Sequence, residues 1–183
     1  LERLSLTDKH MKLQKSLDAF LFCCYAGMRY SDFTNLSKKN IVDINQETWL
    51  IYKSVKTGTE VRLPLYLLFA GKGIVILNKY RNNLEDFFRL RDNSNINKDL
   101  IIIAKLAGLS KKISFHTARH TNATLLIYNG VNITTVQKLL GHKSVKTTQV
   151  YTNIMDMTIV HDLEKIKQAA LGIKKKTDNS FNK

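Results

Sequence analysis

The sequence predicts a mainly helical α+β domain that holds a small antiparallel β-sheet of two or three strands. Hydrophobic residues make up 44% of the 183 residues, which is enough for a sizeable core. Residues 40–65 are rich in β-branched and aromatic side chains, which favour strands. The segments on both sides carry apolar residues at helical spacing and are divided by glycines and polar breaks.

The first predicted helix covers about residues 8–26. Thr7 is placed to cap its start, since a hydroxyl can accept a hydrogen bond from a free N–H of the first turn. Gly27 follows the helix, at the position where a left-handed residue ends many helices. Apolar residues at helical spacing predict one buried stripe, formed by Leu13, Leu17, Phe20, Leu21 and Cys24.

A short second helix is predicted over residues 30–36, and the strands follow it. Their predicted ranges are residues 41–44, 48–53 and 59–65. A turn at Thr57-Gly58 joins the last two strands. Pro64 places the third strand at an edge of the sheet, because proline has no N–H to donate to a neighbour.

The chain is predicted to be helical from residue 73 onward. The predicted helices cover residues 73–83, 95–107, 117–129, 134–140, 146–152 and, last, about 156–171. A run of three lysines and a polar segment follow, and we expect residues 173–183 to form a disordered basic tail. Residues 1–172 are therefore expected to form one folded domain.

The charge balance favours a nucleic-acid partner. The chain has 29 Lys and Arg against 15 Asp and Glu, a net charge of +14. Such an excess attracts phosphate polyanions. No apolar run approaches the roughly 20 residues of a membrane span, so we expect no membrane association. Cys23 and Cys24, the two cysteines, are adjacent, which excludes a disulfide framework and indicates buried thiols in a cytoplasmic protein.

Two early positions have side chains suited to chemistry. Arg29 follows the predicted helix end, and Asp32 lies close enough in sequence to orient it. A solvated surface arginine is the alternative interpretation. Lys56 precedes Thr-Gly in the predicted hairpin turn, where a lysine can project toward a ligand; the alternative is an ordinary polar turn.

Three later positions add to this set. His116 and Arg119 are three residues apart at a helix start, so they share a face at an end that favours anions. The alternative there is a capped helix with a histidine satisfied in the core. His142 lies in the turn after Gly141, and Tyr151, nine residues on, is either a functional phenol or a packing aromatic. Residues 134–140 and 146–152 also fit a helix-turn-helix.

Taken together, these residues resemble the tyrosine recombinases, the phage-integrase family of DNA strand-exchange enzymes. The resemblance covers about residues 7–155. Asp32 stands where many family members have Glu. The family's lysine is the least reliably placed residue, and Lys53 is a second candidate for it. The positions similar to the family's catalytic residues are Arg29 in Gly-Met-Arg-Tyr-Ser-Asp, Lys56 in Lys-Thr-Gly, His116 and Arg119 in His-Thr-Ala-Arg-His-Thr, His142 in Leu-Leu-Gly-His, and Tyr151.

The resemblance implies the tyrosine recombinase catalytic-domain fold and a mechanism for strand cleavage. Tyr151 would be the nucleophile that attacks phosphorus and forms a 3′-phosphotyrosyl link. His116 would be its base or orienting group, and Lys56 would protonate the departing 5′-oxygen. The remaining phosphate ligands would be Arg29, Arg119 and His142. No metal ion or nucleotide cofactor is implied.

The resemblance also implies partners and a biological role. The partner would be a double-stranded DNA recombination site. The protein would form a homotetramer in the synaptic complex and would be a monomer alone. The final helix would dock on a neighbouring protomer or, alternatively, pack within its own chain. The role would be integration or excision of a mobile element, of the Bacteroides type, by a cytoplasmic, nucleoid-associated bacterial protein. The family's N-terminal core-binding domain is not expected in this chain. The alternatives are a non-catalytic helix-turn-helix regulator and a type IB topoisomerase.

Overall fold

The computed structural model describes residues 1–152, 163–164 and 166–167. Helices dominate these residues, and three strands form an antiparallel sheet, which confirms the predicted fold class. Short 3-10 helices cover Asp8–Leu13, Lys38–Asn40 and Leu68–Gly71. The remaining elements are α1 (Gln14–Ala26), α2 (Tyr30–Thr34), β1 (Ile41–Ile44), β2 (Glu47–Lys53), β3 (Glu60–Pro64), α3 (Lys72–Lys79), α4 (Leu84–Phe88), α5 (Asn93–Leu106), α6 (Phe115–Tyr128), α7 (Ile133–Leu140) and α8 (Lys146–Gln149).

Helix α1 lies at the centre of the domain, with α3, α5 and α6 packed against it. Ten of its thirteen residues are buried, and Leu21 of the predicted stripe is only half-buried. The prediction of a single buried stripe was therefore wrong, because neighbours cover the helix on several sides. The buried carboxylate of Asp18 accepts hydrogen bonds from Gln14, Lys79 and Tyr80, which offsets the cost of its burial.

The predicted first helix is divided in two. Residues Asp8–Leu13 form a 3-10 helix, and α1 begins at Gln14. The prediction that Thr7 caps the helix was wrong. Its Oγ1 lies 3.2 Å from His10 Nδ1 and makes no hydrogen bond to the backbone. A local contact between side chains thus replaces the backbone cap.

The sheet has the strand order β1-β2-β3. Leu50 pairs with Leu63 and Trp49 with Pro64, so the proline lies on an edge strand as predicted. The buried side chains of β2 and β3, Leu50, Tyr52, Val61 and Leu63, face the core. The turn between these two strands carries Lys56, and it lies close to the start of α2 and the end of α7.

The later helices fall within a few residues of their predicted ranges, with two differences. Helix α4 was missed because five residues are too few to show a helical period. Its Phe87 and Phe88 are fully buried and pack edge to face or tilted against other aromatic rings. The predicted helix over 146–152 is only one turn long, Lys146–Gln149.

The predicted final helix over residues 156–171 lies largely outside the described residues, as do the tail at 173–183 and the domain end at 172. The four residues of this stretch that are described, 163–164 and 166–167, are helical. Cys23 and Cys24 are buried free thiols, and burial raises the pKa of Cys24 to about 12. Within the described part of the chain, no helix is both long and apolar enough to cross a membrane.

Candidate active site

The first site residue lies in a sharp turn at the end of α1. Gly27 has a φ of +66° there, a backbone conformation that residues other than glycine rarely adopt. A Cβ on this glycine would also lie 2.6 Å from Asn122 Oδ1 and 2.8 Å from Leu140 Cδ2. The turn allows Arg29 to start α2 as its N-cap residue, pointing into the space between α2, the β2–β3 turn and α6.

Arg29 is held by a buried polar network. Its Nη1 donates to Ser54 Oγ at 3.1 Å and to Asp32 Oδ2 at 3.4 Å. Asp32 is only 1% exposed, and its Oδ1 accepts a hydrogen bond from the Val55 backbone N–H at 2.8 Å. The prediction that Asp32 orients Arg29 is therefore confirmed. The same carboxylate also fixes the start of the β2–β3 turn.

The β2–β3 turn is attached on its other side as well. Thr57 Oγ1 donates to the Gly141 carbonyl at 3.1 Å, which ties the turn to the end of α7. Lys56 lies between these two attachment points, and its side chain is exposed. Lys53, the second candidate, is exposed at the end of β2. The turn, which is bonded to the same Asp32 as Arg29, thus carries an exposed lysine.

Arg119 is buried in the first half of α6 and is only 2% exposed. Its Nη1 donates to the Gly27 carbonyl at 2.7 Å, and its Nη2 donates to the Leu140 carbonyl at 2.6 Å. These carbonyls lie at the C-terminal ends of α1 and α7, where the helix dipole favours a cation. A guanidinium has five N–H donors, so these two bonds leave donors free for an anion.

The two arginines lie close enough to repel each other. Burial, together with the charge of Arg29, lowers the pKa of Arg119 to about 10. Arg119 still carries its charge at neutral pH. Asp32 opposes this effect only weakly, so the pair retains an excess of positive charge in a largely buried place. An anion bound here would offset both the cost of burying the two positive charges and the repulsion between them.

His142 follows Gly141, the left-handed residue that ends α7. The ring is buried, and its Nδ1 lies 2.9 Å from Thr148 Oγ1. Gln137 Nε2 donates to the backbone carbonyl of His142 at 3.1 Å. Burial, followed by the charges of the two arginines, lowers the pKa of His142 to about 4. The ring is therefore neutral at pH 7.

Tyr151 lies just after α8 and is 5% exposed. Burial raises the pKa of its hydroxyl, while the charges of Arg119 and Arg29 oppose that rise. Its ring packs edge to face on His120, with the centroids 5.3 Å apart. His120 in turn contacts the exposed His116, with the ring centroids 4.2 Å apart. His120, and not His116, is thus the histidine next to Tyr151.

Sequence reasoning missed three residues of this site. His120 directly follows Arg119 in His-Thr-Ala-Arg-His-Thr, and this position was the one sequence signal for its presence in the site. Tyr52 has a buried hydroxyl that has no hydrogen-bond partner among the described residues. Burial raises the pKa of that hydroxyl, and Arg119 and Arg29 oppose the rise, so it belongs to the same charged cluster. Asn122, one turn after Arg119, had no sequence signal.

The structure therefore brings together Arg29, Arg119, His142 and Tyr151 and places Lys56 and His116 at the exposed margin. Two guanidinium groups and an imidazole can bind the oxygens of an anion, and a phenol beside them can attack it. Among residues 1–152, 163–164 and 166–167, no three His, Cys, Asp or Glu side chains form a group that could hold a metal ion.

The family model of the phage integrase family matches residues 2–157 of the chain. Since this match covers most of the sequence, the chain belongs to that family, as the order of motifs predicted. The chain spans about half the length of the curated relatives it matches.

Individual relatives agree with this assignment. The tyrosine recombinase XerD of Bifidobacterium longum (strain NCC 2705) is 50% identical over 171 residues, which cover 84% of this chain and 54% of that protein. The crystal structure of XerA recombinase matches with a TM-score of 0.66 and 26% identity, over 88% of this chain and 64% of that one. A lambda integrase dimer bound to a core site shares the fold, with a TM-score of 0.60, 21% identity and coverage of 80% and 58%.

The lowered pKa of His142 predicts how the stability of the fold depends on pH. In the unfolded chain, the ring takes up a proton near its ordinary pKa of 6.5, whereas in the folded chain it does so only near pH 4. The unfolded state thus binds more protons between these values, and stability falls as the pH drops through them. We expect this loss in urea melts from pH 7 to pH 4, and a shallower loss for His142→Gln. Identical pH slopes for the two proteins would contradict the buried, neutral imidazole.

Proposed function

We propose that the chain contains the catalytic domain of a site-specific DNA recombinase, which cleaves and rejoins strands through a 3′-phosphotyrosyl intermediate. One observation carries the proposal: Arg119 donates to the carbonyls of Gly27 and Leu140, each two residues before another site residue, Arg29 and His142. The His142 ring in turn contacts Thr148, three residues before Tyr151. Four side chains from four parts of the chain thus meet at one place. A phenol within a cluster of cations is suited to attack a phosphodiester, the anion with which the chain's net charge of +14 agrees.

In this mechanism the arginines bind the non-bridging oxygens of the scissile phosphate. Arg119 has N–H donors left after its bonds to the two carbonyls, and Arg29 is fixed by Asp32. Tyr151 Oη forms a bond to phosphorus as the bond from phosphorus to the 5′-oxygen breaks. Lys56 supplies the proton that the departing oxygen needs. The reverse attack by a 5′-hydroxyl restores the strand and frees the tyrosine.

The proton of the phenol goes to the histidine pair. His120 contacts Tyr151, and His116 lies behind it at the surface. Burial and the charges of His116 and Arg119 lower the pKa of His120, so the ring is neutral at pH 7 and can accept a proton. His116, the residue that the family motif points to, then acts on the tyrosine through His120.

His142 is the remaining donor to the phosphate. Its ring is neutral at pH 7, so only one nitrogen carries a proton. When the Thr148 hydroxyl donates to Nδ1, the proton resides on Nε2, which is then a donor for the phosphate. Thr148 therefore orients the catalytic imidazole and accommodates the tautomer that leaves the proton on Nε2.

Thr148→Val should lower the rate of strand cleavage about 10-fold, as losses of a group that orients a functional histidine do. Valine keeps the volume of this fully buried side chain but has no hydroxyl for Nδ1. Single-turnover cleavage of a nicked duplex measures the effect. Thr152→Val, which removes an exposed hydroxyl bonded to the Gln149 carbonyl, is the matched control. Equal rates for the two variants would show that Thr148 has no part in orienting the ring.

We propose a mobile element as the source of the DNA site, with integration or excision as the outcome and a tetramer on paired sites as the active form. The composition rich in Asn, Lys and Ile and the Tyr-Ser-Asp that follows Arg29 support this choice. We further propose residues 1–172 as the catalytic unit. The lambda integrase dimer is bound to a COC′ core site, which supports a recombination site in DNA as the partner.

The alternative of a helix-turn-helix regulator has less support. Its recognition helix would be α8, which is one turn long and whose Thr148 is buried against His142. A recognition helix needs an exposed face of several residues along the major groove. A regulator also has no need for two arginines, a histidine and a tyrosine gathered in one largely buried cluster.

A suicide substrate tests the proposal. A nicked duplex loses a short strand after cleavage, so that the covalent protein–DNA product cannot revert. We expect a covalent band on a denaturing gel, formed equally well in the presence of a metal chelator. A band in duplexes of any sequence, together with relaxation of supercoiled plasmid, would favour the topoisomerase. No band from the protein on the ends of the proposed element would refute the proposal.

A further inference from the structure

Asn122 is a buried amide that touches none of the groups assigned to the chemistry above. It lies on α6, one turn after Arg119, and is only 2% exposed. Its Nδ2 donates to the Cys24 carbonyl at 3.0 Å and to the Tyr25 carbonyl at 2.9 Å. Both carbonyls belong to the last turn of α1, and so one side chain of α6 caps the end of another helix.

The cap meets a physical need of that helix end. The last four carbonyls of a helix have no partner within the helix, and a buried end must find partners elsewhere. At the end of α1, the Gly27 N–H bonds to the Cys23 carbonyl. Asn122 takes the next two carbonyls in the chain, Cys24 and Tyr25. Without its amide these groups would be buried and unpaired.

Arg119 and Asn122 hold the same end of α1 from one face of α6. Arg119 bonds to the Gly27 carbonyl, and Asn122 bonds to carbonyls two and three residues earlier. Asn122 Oδ1 also fills the space that a Cβ on Gly27 would occupy. Arg29 lies only two residues after that glycine. The position of Arg29 relative to Arg119 therefore depends on how α6 holds this turn.

We propose that Asn122 is a positioning residue for the two arginines, an inference that rests on the proposed function. By capping α1 from α6, it fixes the distance and angle between the guanidinium groups, so that both meet the oxygens of one phosphate. A displacement of about 1 Å at a reacting group can lower a rate about 100-fold. The amide acts through the arginines and takes no part in the transfer of protons or electrons.

The test uses a substrate whose cleavage depends less on the two arginines. Replacing one non-bridging oxygen of the scissile phosphate with a methyl group gives a neutral methylphosphonate, which has less charge to neutralise. We expect Asn122→Leu to cleave the ordinary phosphate about 100-fold more slowly than the wild-type protein, as a misplaced clamp would. On the methylphosphonate, the two proteins should differ by less than about 10-fold, since the clamp matters less there.

Two controls separate positioning from stability. Asn129→Leu makes the same change just after the end of α6, at an exposed amide that donates to the Leu125 carbonyl, and should leave both rates unchanged. Ile103→Val removes one buried methyl group from the core on α5 and leaves the hydrogen bonds at the end of α1 in place. Thermal melts of each protein set a temperature at which all are folded. Asn122→Ala serves as a second variant, since it removes the amide without adding branched carbons.

The outcomes are distinct. A loss on the phosphate that largely disappears on the methylphosphonate supports the positioning role. An equal loss on both substrates, or a loss no greater than that of Ile103→Val, makes Asn122 a structural residue only. If the wild-type protein cleaves neither substrate, the result counts against the proposed function. That outcome would be seen before any variant is compared.

Discussion

Tyr151→Phe is expected to abolish the covalent protein–DNA product while leaving DNA binding nearly unchanged. Phenylalanine keeps the ring that packs on His120 and loses only the hydroxyl that would attack phosphorus. The loss should be complete within detection, since an enzyme without its nucleophile has no route to the covalent intermediate. A suicide substrate on a denaturing gel measures cleavage, and a mobility shift on intact duplex measures binding.

Tyr80→Phe is the matched control for this prediction. Its hydroxyl donates to the buried Asp18 of α1 at 2.9 Å, so this change also removes one phenolic hydroxyl, but between α1 and the end of α3. We expect Tyr80→Phe to be less stable and still able to form the covalent product. A covalent band from Tyr151→Phe would show that another side chain is the nucleophile.

The fold was predictable wherever a local pattern carried the information. The β-branched and aromatic side chains of residues 40–65 predicted the sheet, and Pro64 predicted its edge. Gly27 and Gly141 marked two helix ends because both positions require a left-handed residue. Helix α4 had no such pattern. The burial of α1 on several sides depends on which elements pack around it, and that is set by tertiary structure rather than by the helix itself.

The site was predictable as a set of residues and not as an arrangement. The order of motifs selected Arg29, Arg119, His142 and Tyr151, and the structure gathers these four. The order of motifs could not show that His120 lies between His116 and Tyr151, since that depends on where the chain after α8 returns to α6. Nor could it show that Tyr52, on a strand, has its hydroxyl buried in the same cluster.

Contacts between distant parts of the chain explain the remaining gap. Asp32 holds both Arg29 and the β2–β3 turn, and Thr57 joins that turn to the end of α7. The bonds from Val55 to Asp32 and from Thr57 to Gly141 join positions 23 and 84 residues apart, and each uses a backbone group that almost any residue could supply. A pattern read along the sequence has no access to such bonds. They determine the geometry of the site all the same.

Arg119→Ala is expected to impair both cleavage and folding, because this arginine has two tasks. Loss of one donor to a charged transition state lowers rates by about 100- to 1000-fold. The same change leaves the Gly27 and Leu140 carbonyls without their charged partner in a buried place. We expect the free energy of unfolding to fall by about 2 kcal/mol, the usual loss for such a bond, with relief of the repulsion from Arg29 offsetting part of the cost.

Arg119→Lys separates these two tasks. A lysine keeps the positive charge but presents one compact ammonium, which cannot span two carbonyls and a phosphate at once. We therefore expect its stability to lie between those of the wild-type protein and Arg119→Ala, and its cleavage to remain close to that of Arg119→Ala. Arg62→Ala, at an exposed arginine paired with Glu60, is the control and should change neither property. Urea melts and single-turnover cleavage measure the two effects. If Arg119→Lys cleaves as fast as the wild-type protein, a positive charge alone is sufficient, and the forked geometry between the ends of α1 and α7 has no catalytic role.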